Sequence, residues 1–216
     1  CHRYGALFHS DTVQTMGHYR FDLERTPVDF ITCAAHKFHG AKGTGFLYMR
    51  SGAGLKPMIL GGSQERNMRA GTENIAGIVG LAKAMELAYE DLEGHHRHVQ
   101  GLKERMMQRL QAEIPGVGFN GDASPDALYT VLNVRFPDDG RSEMLLYNLD
   151  IEGVACSGGS ACSSGSNKGS HVLAALYPER PGANIRFSFS RYTNVGEVDR
   201  AIDVLKRVLQ LEPLKA

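Results

Sequence analysis

Lys37 follows an apolar segment and precedes a loop that has glycines at 40, 43 and 45. The segment, residues 28–35 (VDFITCAA), has the nearly continuous apolar pattern of a strand that is covered on both faces. A lysine at the end of such a strand is suited to forming a Schiff base, because desolvation favours the neutral, nucleophilic amine. The alternative is a lysine whose ammonium reaches solvent from the strand end, which is the commoner arrangement for a single lysine.

Asp11 follows another apolar segment, residues 5–10 (GALFHS), which is typical of a short strand. Ligands of parallel α/β sheets bind at the carboxyl ends of the strands. A carboxylate in that position suits the protonated ring nitrogen of pyridoxal phosphate. Asp11 is equally suited to capping a helix that starts at residue 12, and the two roles are compatible. Gln14 would add a hydrogen bond from one turn later.

Thr72 and His36 are the candidates for binding a phosphate group. Thr72 lies in RAGTEN, a glycine turn directly before a helical pattern, and helix N-termini bind anions. A Gly-Thr pair before a helix is more often a simple cap. His36 is next to Lys37 and could donate to the same group, whereas Lys42 is expected to be exposed.

Cys162 and Arg186 are candidates in the second half of the chain. Cys162 lies in GGSACSSGS, where small polar residues predict a long flexible loop over 156–170 and give the thiol no packing role. Arg186 lies within an apolar strand pattern, NIRFSFS, where its guanidinium would bind either a substrate carboxylate or a structural acidic partner. Cys156, Cys162 and His171 match no usual zinc spacing, so no metal site is predicted. Three histidines are expected on a solvated helix face: His95, His96 and His98.

The elements that must position these residues alternate between strands and helices. Further strands are predicted over 45–49, 130–136, 151–155 and 184–190. Helical spacing begins at Ile75 and continues past residue 91, where Gly94 and Gly101 weaken the pattern without clearly ending it. A helix is also predicted over 142–149. The last helix carries apolar residues from Val195 to Leu209, and Asn194 with Glu197 has the pattern of a capping box.

The composition excludes several classes of function. The 216 residues carry 24 basic and 24 acidic side chains, so no charge pattern indicates binding to nucleic acid or to a membrane surface. Four cysteines in a chain of this length do not indicate a disulfide framework, which favours a reducing, cytoplasmic location. The chain begins at Cys1 rather than methionine and enters almost directly into a strand pattern, so we expect it to be the later part of a longer protein.

Taken in order, these motifs resemble the NifS/IscS-type cysteine desulfurases, pyridoxal-phosphate enzymes of the class V aminotransferase group. DTVQ is similar to the segment that carries the ring-pairing aspartate and a neighbouring glutamine, which implies these roles for Asp11 and Gln14. AHKFHGAKGTGFLY resembles the signature of the lysine that binds the cofactor covalently, here Lys37, with His36 helping to hold the phosphate. GGSQERNMRAGTEN resembles the segment whose threonine, here Thr72, reaches the phosphate of a neighbouring subunit.

The resemblance continues through the second half of the chain. SGGSACSSGS is similar to the mobile loop whose cysteine accepts sulfur, which implies that Cys162 becomes a persulfide as L-cysteine is converted to L-alanine. IRFSFSR is similar to the strand whose first arginine, Arg186, binds the substrate carboxylate. The implied partners are a second subunit, in a homodimer, and a sulfur acceptor or scaffold protein for iron–sulfur clusters. Three positions depart from the family pattern: Ala34 and Cys156, where serine is common, and Ala41, where proline is common.

The implied fold is that of the type I pyridoxal-phosphate-dependent transferases, an α/β fold. Residues 1–90 would be the C-terminal part of the large cofactor domain, and residues 91–216 the small C-terminal domain. The family's upstream half carries further cofactor contacts, so we expect these residues alone to bind the cofactor weakly and to associate with a complementary fragment or with themselves. An aminotransferase or selenocysteine lyase of the same fold remains an alternative, as does a non-catalytic binding or scaffold module.

Overall fold

The fold was obtained as a computed structural model that describes residues 1–138, 140, 142, 144–158, 170–179 and 182–211. The chain divides into two compact units, Cys1–Glu93 and Gly94–Ala216. No helix in the described ranges has both the length and the apolar character needed to cross a bilayer.

The first unit contains a three-stranded sheet in the order β1-β2-β3, formed by β1 (His9–Asp11), β2 (Phe30–Ala34) and β3 (Gly45–Met49). β1 pairs with β2 in parallel, whereas β2 and β3 are antiparallel. The strand predicted over 5–10 is therefore shorter and later than expected, because residues 2–4 form a 3-10 helix and Gly5 turns the chain with a φ of 68°. The β3 prediction is confirmed.

Helix α1 (Ile75–Glu90) is packed against one face of this sheet. Its Ala84 and Ala88 join a buried cluster with Ile31, Cys33 and Phe38, and small side chains allow the helix to approach closely. Residues of β2 on the opposite face, Thr32 and Ala34, are only half-buried. The expectation that this strand is covered on both faces is therefore not met within the first unit.

Helix α2 (Leu92–Glu113) follows α1 after a break at Asp91. The sequence predicted one continuous helical pattern with weak points at Gly94 and Gly101. The structure instead ends α1 at Asp91, which leaves the helical region with φ −132° and ψ 54°, and both glycines lie inside α2. Glycine lowers helix propensity by about 1 kcal/mol, which is too little to end a helix that is buried along one side.

The second unit is built on an antiparallel sheet in the order β4-β5-β6, formed by β4 (Gly118–Phe119), β5 (Val131–Arg135) and β6 (Asn184–Ser188). Its helices are α3 (Leu145–Ile151), α4 (His171–Leu176) and α5 (Val195–Val208), together with most of α2. The sequence did not predict β4 or α4. The strand predicted over 151–155 is absent from this described region, where Ile151 ends α3 and only Ser157 forms an isolated bridge, to Arg186.

Alternation along β5 and β6 separates an apolar face from a polar face. Leu132, Val134, Ile185 and Phe187 are buried, and the apolar residues of α2, α3 and α5 supply the rest of this core. The residues between them on the strands are only half-buried and are polar: Asn133, Arg135, Asn184 and Arg186. The capping box of α5 is confirmed: Asn194 Oδ1 accepts from the Glu197 N–H at 3.1 Å, and the Glu197 carboxylate accepts from the Asn194 N–H at 2.8 Å.

Candidate functional site

The parallel pair β1–β2 sets the geometry of the candidate site in the first unit. Asp11, the last residue of β1, lies opposite Thr32, and β2 ends at Ala34. Parallel strands end at the same edge of a sheet, so the Asp11 carboxylate lies at the edge toward which the chain carries Lys37. Asp11 is exposed, and its Oδ1 accepts a hydrogen bond from the Val13 N–H at 2.9 Å. This Asx turn engages one carboxylate oxygen.

Lys37 lies in a 3-10 helix, Ala35–Phe38, that directly follows β2. Ala35 and Phe38 are buried and fix this short helix in the core, while Lys37 is half-buried. Among the described residues, none accepts a hydrogen bond or forms an ion pair with the Lys37 ammonium. The loop that follows is tightly packed: a Cβ on Gly40 would lie 2.8 Å from Ala35 Cβ, so only glycine fits there. The backbone around Lys37 is thus fixed by packing, and its amine has no partner in the part of the chain that the structure describes.

The other predicted residues of the first unit lie on exposed segments. His36 is exposed on the same 3-10 helix as Lys37, and Gln14 is exposed in the turn after Asp11. Thr72 is also exposed, directly after Gly71, which has a φ of 105°. The helix cap is not Thr72 but Asn74, whose Oδ1 accepts from the Gly77 N–H at 3.0 Å. The Thr72 hydroxyl therefore does not cap the helix, which was the alternative role considered from the sequence.

A left-handed turn precedes Thr72 and was not predicted. Glu65, Arg66 and Asn67 have φ values of 46°, 56° and 65°. Such conformations cost non-glycine residues roughly 1–2 kcal/mol each, and strain of this kind is concentrated at functional segments. The sequence signal, polar residues between Gly61 and Gly71, indicates a turn but not its handedness.

Arg186 lies on β6, in the second unit. Its backbone N–H donates to the Ser157 carbonyl oxygen at 2.6 Å, and its carbonyl oxygen accepts from the Ser157 N–H at 3.2 Å. Its Nε is buried and has no hydrogen-bond partner in the part of the chain that the structure describes. The structural ion pair considered from the sequence is thus absent among these residues. A buried guanidinium nitrogen without an acceptor is expected where a ligand supplies one.

Cys162 lies outside the described residues. Cys156, six positions earlier, is half-buried, and burial raises its pKa to about 11, with Asp150 contributing in the same direction. Cys33 is buried in the first unit, and burial likewise raises its pKa to about 11. Both thiols are therefore protonated at neutral pH and are poor nucleophiles.

The histidines of α2 are not simply solvated, in contrast to the expectation from the sequence. The His96 ring packs edge-on against Tyr129, with a centroid distance of 4.4 Å, and His98 Nε2 lies 2.8 Å from the Thr193 carbonyl oxygen. No group of three or more potential metal ligands occurs in the described ranges. These two histidines fix α2 to neighbouring segments of the second unit.

Three asparagines on the polar face of the second sheet were missed: Asn120, Asn133 and Asn184. Their amides form a continuous hydrogen-bonded chain that joins the residue directly after β4 to β5 and β6. The available sequence signal was an asparagine inside each of two apolar strand patterns, LNV and NIR. A polar residue at the centre of a strand indicates an outward or a ligand-facing side, but only the register shows that the three amides meet.

The comparisons with known proteins support one family. The sequence pattern described as "Aminotransferase class-V" matches residues 1–201. The cysteine desulfurase IscS of Dictyoglomus turgidum is 41% identical over 209 residues, which cover 96% of this chain and 52% of the relative. A cysteine desulfurase of Klebsiella pneumoniae is 43% identical, with 96% and 52% covered. The chain thus spans about half the length of the curated relatives that it matches.

Solved structures agree with this result. A NifS-like protein superposes with a TM-score of 0.84 at 34% identity and covers 97% of this chain and 54% of its own. The NifS-like protein from Rickettsia africae gives a TM-score of 0.81 at 26% identity, with 97% and 55% covered. The predicted α/β fold of type I pyridoxal-phosphate-dependent transferases is confirmed by these neighbours. Because the family pattern extends over residues 1–201, the chain belongs to the class-V aminotransferase family.

Proposed function

We propose that this chain carries out its part of a cysteine desulfurase reaction, in which L-cysteine becomes L-alanine and its sulfur passes to an enzyme cysteine. One structural observation carries the proposal: the parallel register of β1 and β2 places Asp11 at the sheet edge where the unpaired amine of Lys37 follows. The names of the relatives support the choice of this reaction among those of the family.

The donor set at this edge fits pyridoxal phosphate. The Lys37 amine has no partner among the described side chains and can bind the cofactor aldehyde. One Asp11 oxygen is held by the Val13 N–H, and the exposed carboxylate leaves its other oxygen for the protonated ring nitrogen. We assign cofactor contacts also to Gln14, near the phenolic oxygen, and to His36 and Thr72, at the phosphate. When bound, the cofactor supplies an electron sink for charge that develops on the substrate carbon.

Arg186 and Lys37 have distinct roles toward the substrate. Arg186 binds the α-carboxylate of L-cysteine, which supplies the acceptor that its buried Nε otherwise lacks. Once L-cysteine has released the Lys37 amine, Lys37 acts as general base and acid: its Nζ takes the proton from the substrate α-carbon and returns a proton to carbon when the product forms. A half-buried, partner-free amine suits this exchange, because no fixed hydrogen bond has to break each time the nitrogen gains or loses a proton.

Cys162 is assigned the sulfur-accepting step. Its thiolate attacks the sulfur of the bound cysteine, so that an S–S bond forms as the substrate C–S bond breaks. The electron pair of the broken bond stays with the substrate β-carbon, which is protonated to give the methyl group of alanine. Cys162 is left as a persulfide. Residue 162 comes five positions after Ser157, whose backbone is bonded to that of Arg186.

Further proposals concern organisation and partners. We assign residues 1–90 to the large cofactor domain and residues 91–216 to the small domain. The working form is a homodimer in which Thr72 serves the partner's cofactor site. The persulfide passes to an acceptor or scaffold protein for iron–sulfur clusters, in the cytoplasm.

The test is to supply the protein, as expressed from its own gene, with pyridoxal phosphate and L-cysteine under a reductant. We expect sulfide and alanine to appear in equal amounts. An aminotransferase would instead consume a keto acid and release no sulfide, and a selenocysteine lyase would act on selenocysteine but not on cysteine. If no product forms with any of these substrates, an enzymatic role is contradicted and a binding or scaffold module is favoured.

A further inference from the structure

The polar face of the second sheet contains a chain of amide hydrogen bonds. Asn120 Nδ2 donates to Asn133 Oδ1 at 2.8 Å and to Asn184 Oδ1 at 2.6 Å. Asn184 Nδ2 in turn donates to the Gly182 carbonyl oxygen at 3.2 Å. Asn120 is 8% exposed, so the junction of this chain is buried.

The Gly182 carbonyl fixes the orientation of every amide in the chain. A carbonyl oxygen only accepts, so the Asn184 atom that faces it must be the nitrogen, and Asn184 Oδ1 therefore faces Asn120. Asn120 must then present its nitrogen, whose two hydrogens serve both neighbouring oxygens. Asn133 consequently turns its oxygen toward Asn120 and its NH2 group away. Among the described residues, no acceptor binds that NH2 group.

This NH2 group belongs to the residue of β5 that lies directly across from Arg186 on β6. Asn133 and Arg186 are directly opposite in the β5–β6 register. The Arg186 backbone N–H and carbonyl both bond to Ser157, so they point away from β5. Asn133 and Arg186 therefore form a non-hydrogen-bonded pair, the type in which the Cα atoms are only about 4.5 Å apart and the side chains are closest.

We propose that Asn133 Nδ2 is a second carboxylate donor, which binds the substrate carboxylate together with Arg186. This inference rests on the proposed function for its substrate and on the sheet geometry for its site. A carboxylate has about four acceptor positions, so the guanidinium and a neutral N–H can bind it together. Asn120 is a positioning residue: it touches no ligand but holds Asn133 in the orientation that presents the NH2 group.

The proposed pair predicts selectivity for a carboxylate that is measurable without sulfur chemistry. The probes are 3-mercaptopropionate and its neutral isostere 3-mercaptopropionamide, neither of which has an amino group that could react with the cofactor. The measured quantity is the ratio of their dissociation constants for the cofactor-loaded protein. We expect the unmodified protein to prefer the acid and Arg186→Ala to lose about a hundredfold of that preference.

Three further variants isolate Asn133. Asn133→Ala removes the neutral donor and should lower the preference about tenfold. Asn133→Asp keeps the oxygen that accepts from Asn120, which protects the fold, but replaces the NH2 group with an anionic oxygen and should abolish the preference. Asn120→Ala frees the Asn133 amide to rotate and should lower the preference about threefold, with no further effect in the Asn133→Ala background. Ser188→Ala, on the same strand and face as Arg186, is the control and should leave the ratio unchanged.

The outcomes separate this inference from the proposed function. If the Asn133→Ala ratio equals that of Ser188→Ala, Asn133 does not contact the carboxylate and the inference is overturned. If the two asparagine effects add independently, Asn120 does not act through Asn133 and its positioning role is overturned. If the ratios change as expected while L-cysteine yields no sulfide, the carboxylate site stands and the desulfurase proposal fails. If the sulfide yield is normal while the ratios do not change, the desulfurase proposal stands and the carboxylate role of Asn133 fails.

Discussion

Two lysines, one in each unit, differ in whether a described residue accepts a hydrogen bond from the ammonium. Lys103 on α2 is 1% exposed, and its Nζ donates to the Leu128 carbonyl oxygen at 3.1 Å. Burial lowers the pKa of Lys103, while Asp122 and Glu104 act in the opposite direction. Lys37 is half-buried, and no described side chain or carbonyl accepts from its ammonium. The lysine that belongs to the scaffold has an acceptor, and the lysine that follows the sheet edge has none among the residues that the structure describes.

The arginines of the second unit show the same contrast. Arg109 on α2 donates to Glu113, Asp199 and Asp203, and together with Lys206 and Arg105 it joins α2 to α5. Arg186 has a buried Nε that no described residue accepts from. Because a buried donor without an acceptor costs about 1–3 kcal/mol, such groups persist where a ligand completes them. Gln100 Oε1 on α2 is also buried without a hydrogen-bond partner in the described ranges, so a missing partner indicates candidate chemistry only where the sequence pattern also points to it, as for Lys37 and Arg186.

Replacing the lysines one at a time tests whether the lysine without an acceptor is the reactive one. We expect Lys37→Ala to abolish the cofactor that borohydride fixes to the protein, because the amine that follows the end of β2 is lost. The exposed Lys42 and the buried Lys103 are the controls, and Lys42→Ala and Lys103→Met should keep full labelling. The measurement is the mass of borohydride-treated peptides. Labelling that survives in the Lys37 variant would show that the unpaired lysine is not the reactive one.

The cysteines provide the next largest expected effect. Cys162→Ser should keep the cofactor but lower protein-bound persulfide at least about a hundredfold, because a hydroxyl is a poor nucleophile toward sulfur. Cys156→Ser should be mild, since burial raises the pKa of the Cys156 thiol to about 11 and leaves little thiolate. Persulfide is measured by alkylation and mass spectrometry after incubation with L-cysteine. Equal losses in both variants would mean that the two cysteines act together.

The sequence predicted the α/β fold and the elements that place Lys37, Asp11 and Arg186, because apolar periodicity is a local property. It did not predict the break at Asp91, and it placed a strand over 151–155 where α3 instead continues to Ile151. A local apolar pattern does not show which pairing partner the rest of the fold supplies. The asparagine chain is also beyond local pattern: Asn120 and Asn184 are 64 positions apart, and only strand register brings them together. The residue types indicated which side chains could react or bind a ligand. The strand register determined which of them have a hydrogen-bond partner among the described residues.

The paired arginine network gives a smaller, pH-dependent effect. Arg109 lowers the pKa of Glu113 to about 2, and Lys206 adds to the shift. A carboxyl whose pKa is depressed on folding stabilises the fold above its usual value of 4.5, and this contribution is lost as the pH falls toward 2. Arg109→Met should therefore cost about 2 kcal/mol of unfolding free energy at pH 7. The difference in unfolding free energy from the unmodified protein should vanish as the pH falls from about 4.5 to about 2. Urea unfolding at each pH measures it. A pH-independent difference would assign the loss to packing.

The smallest effect tests the completed helix cap, another fully paired scaffold element. Asn194 Oδ1 accepts from the Glu197 N–H, and Glu197 returns a bond to the Asn194 N–H. Asn194→Ala should lower stability by about 1 kcal/mol, whereas Asn194→Gly should cost only a few tenths, because glycine at this position lets water solvate the helix end. For a protein of this size the alanine variant corresponds to a decrease of about 2–4 °C in Tm, measured by thermal unfolding. Since the cap touches no ligand group, the acid-to-amide binding ratio of the Asn133 experiment should not change. A changed ratio would show that the helix cap and ligand binding are coupled in the second unit. The presence or absence of a hydrogen-bond partner would then not distinguish residues that stabilise the fold from residues that bind a ligand.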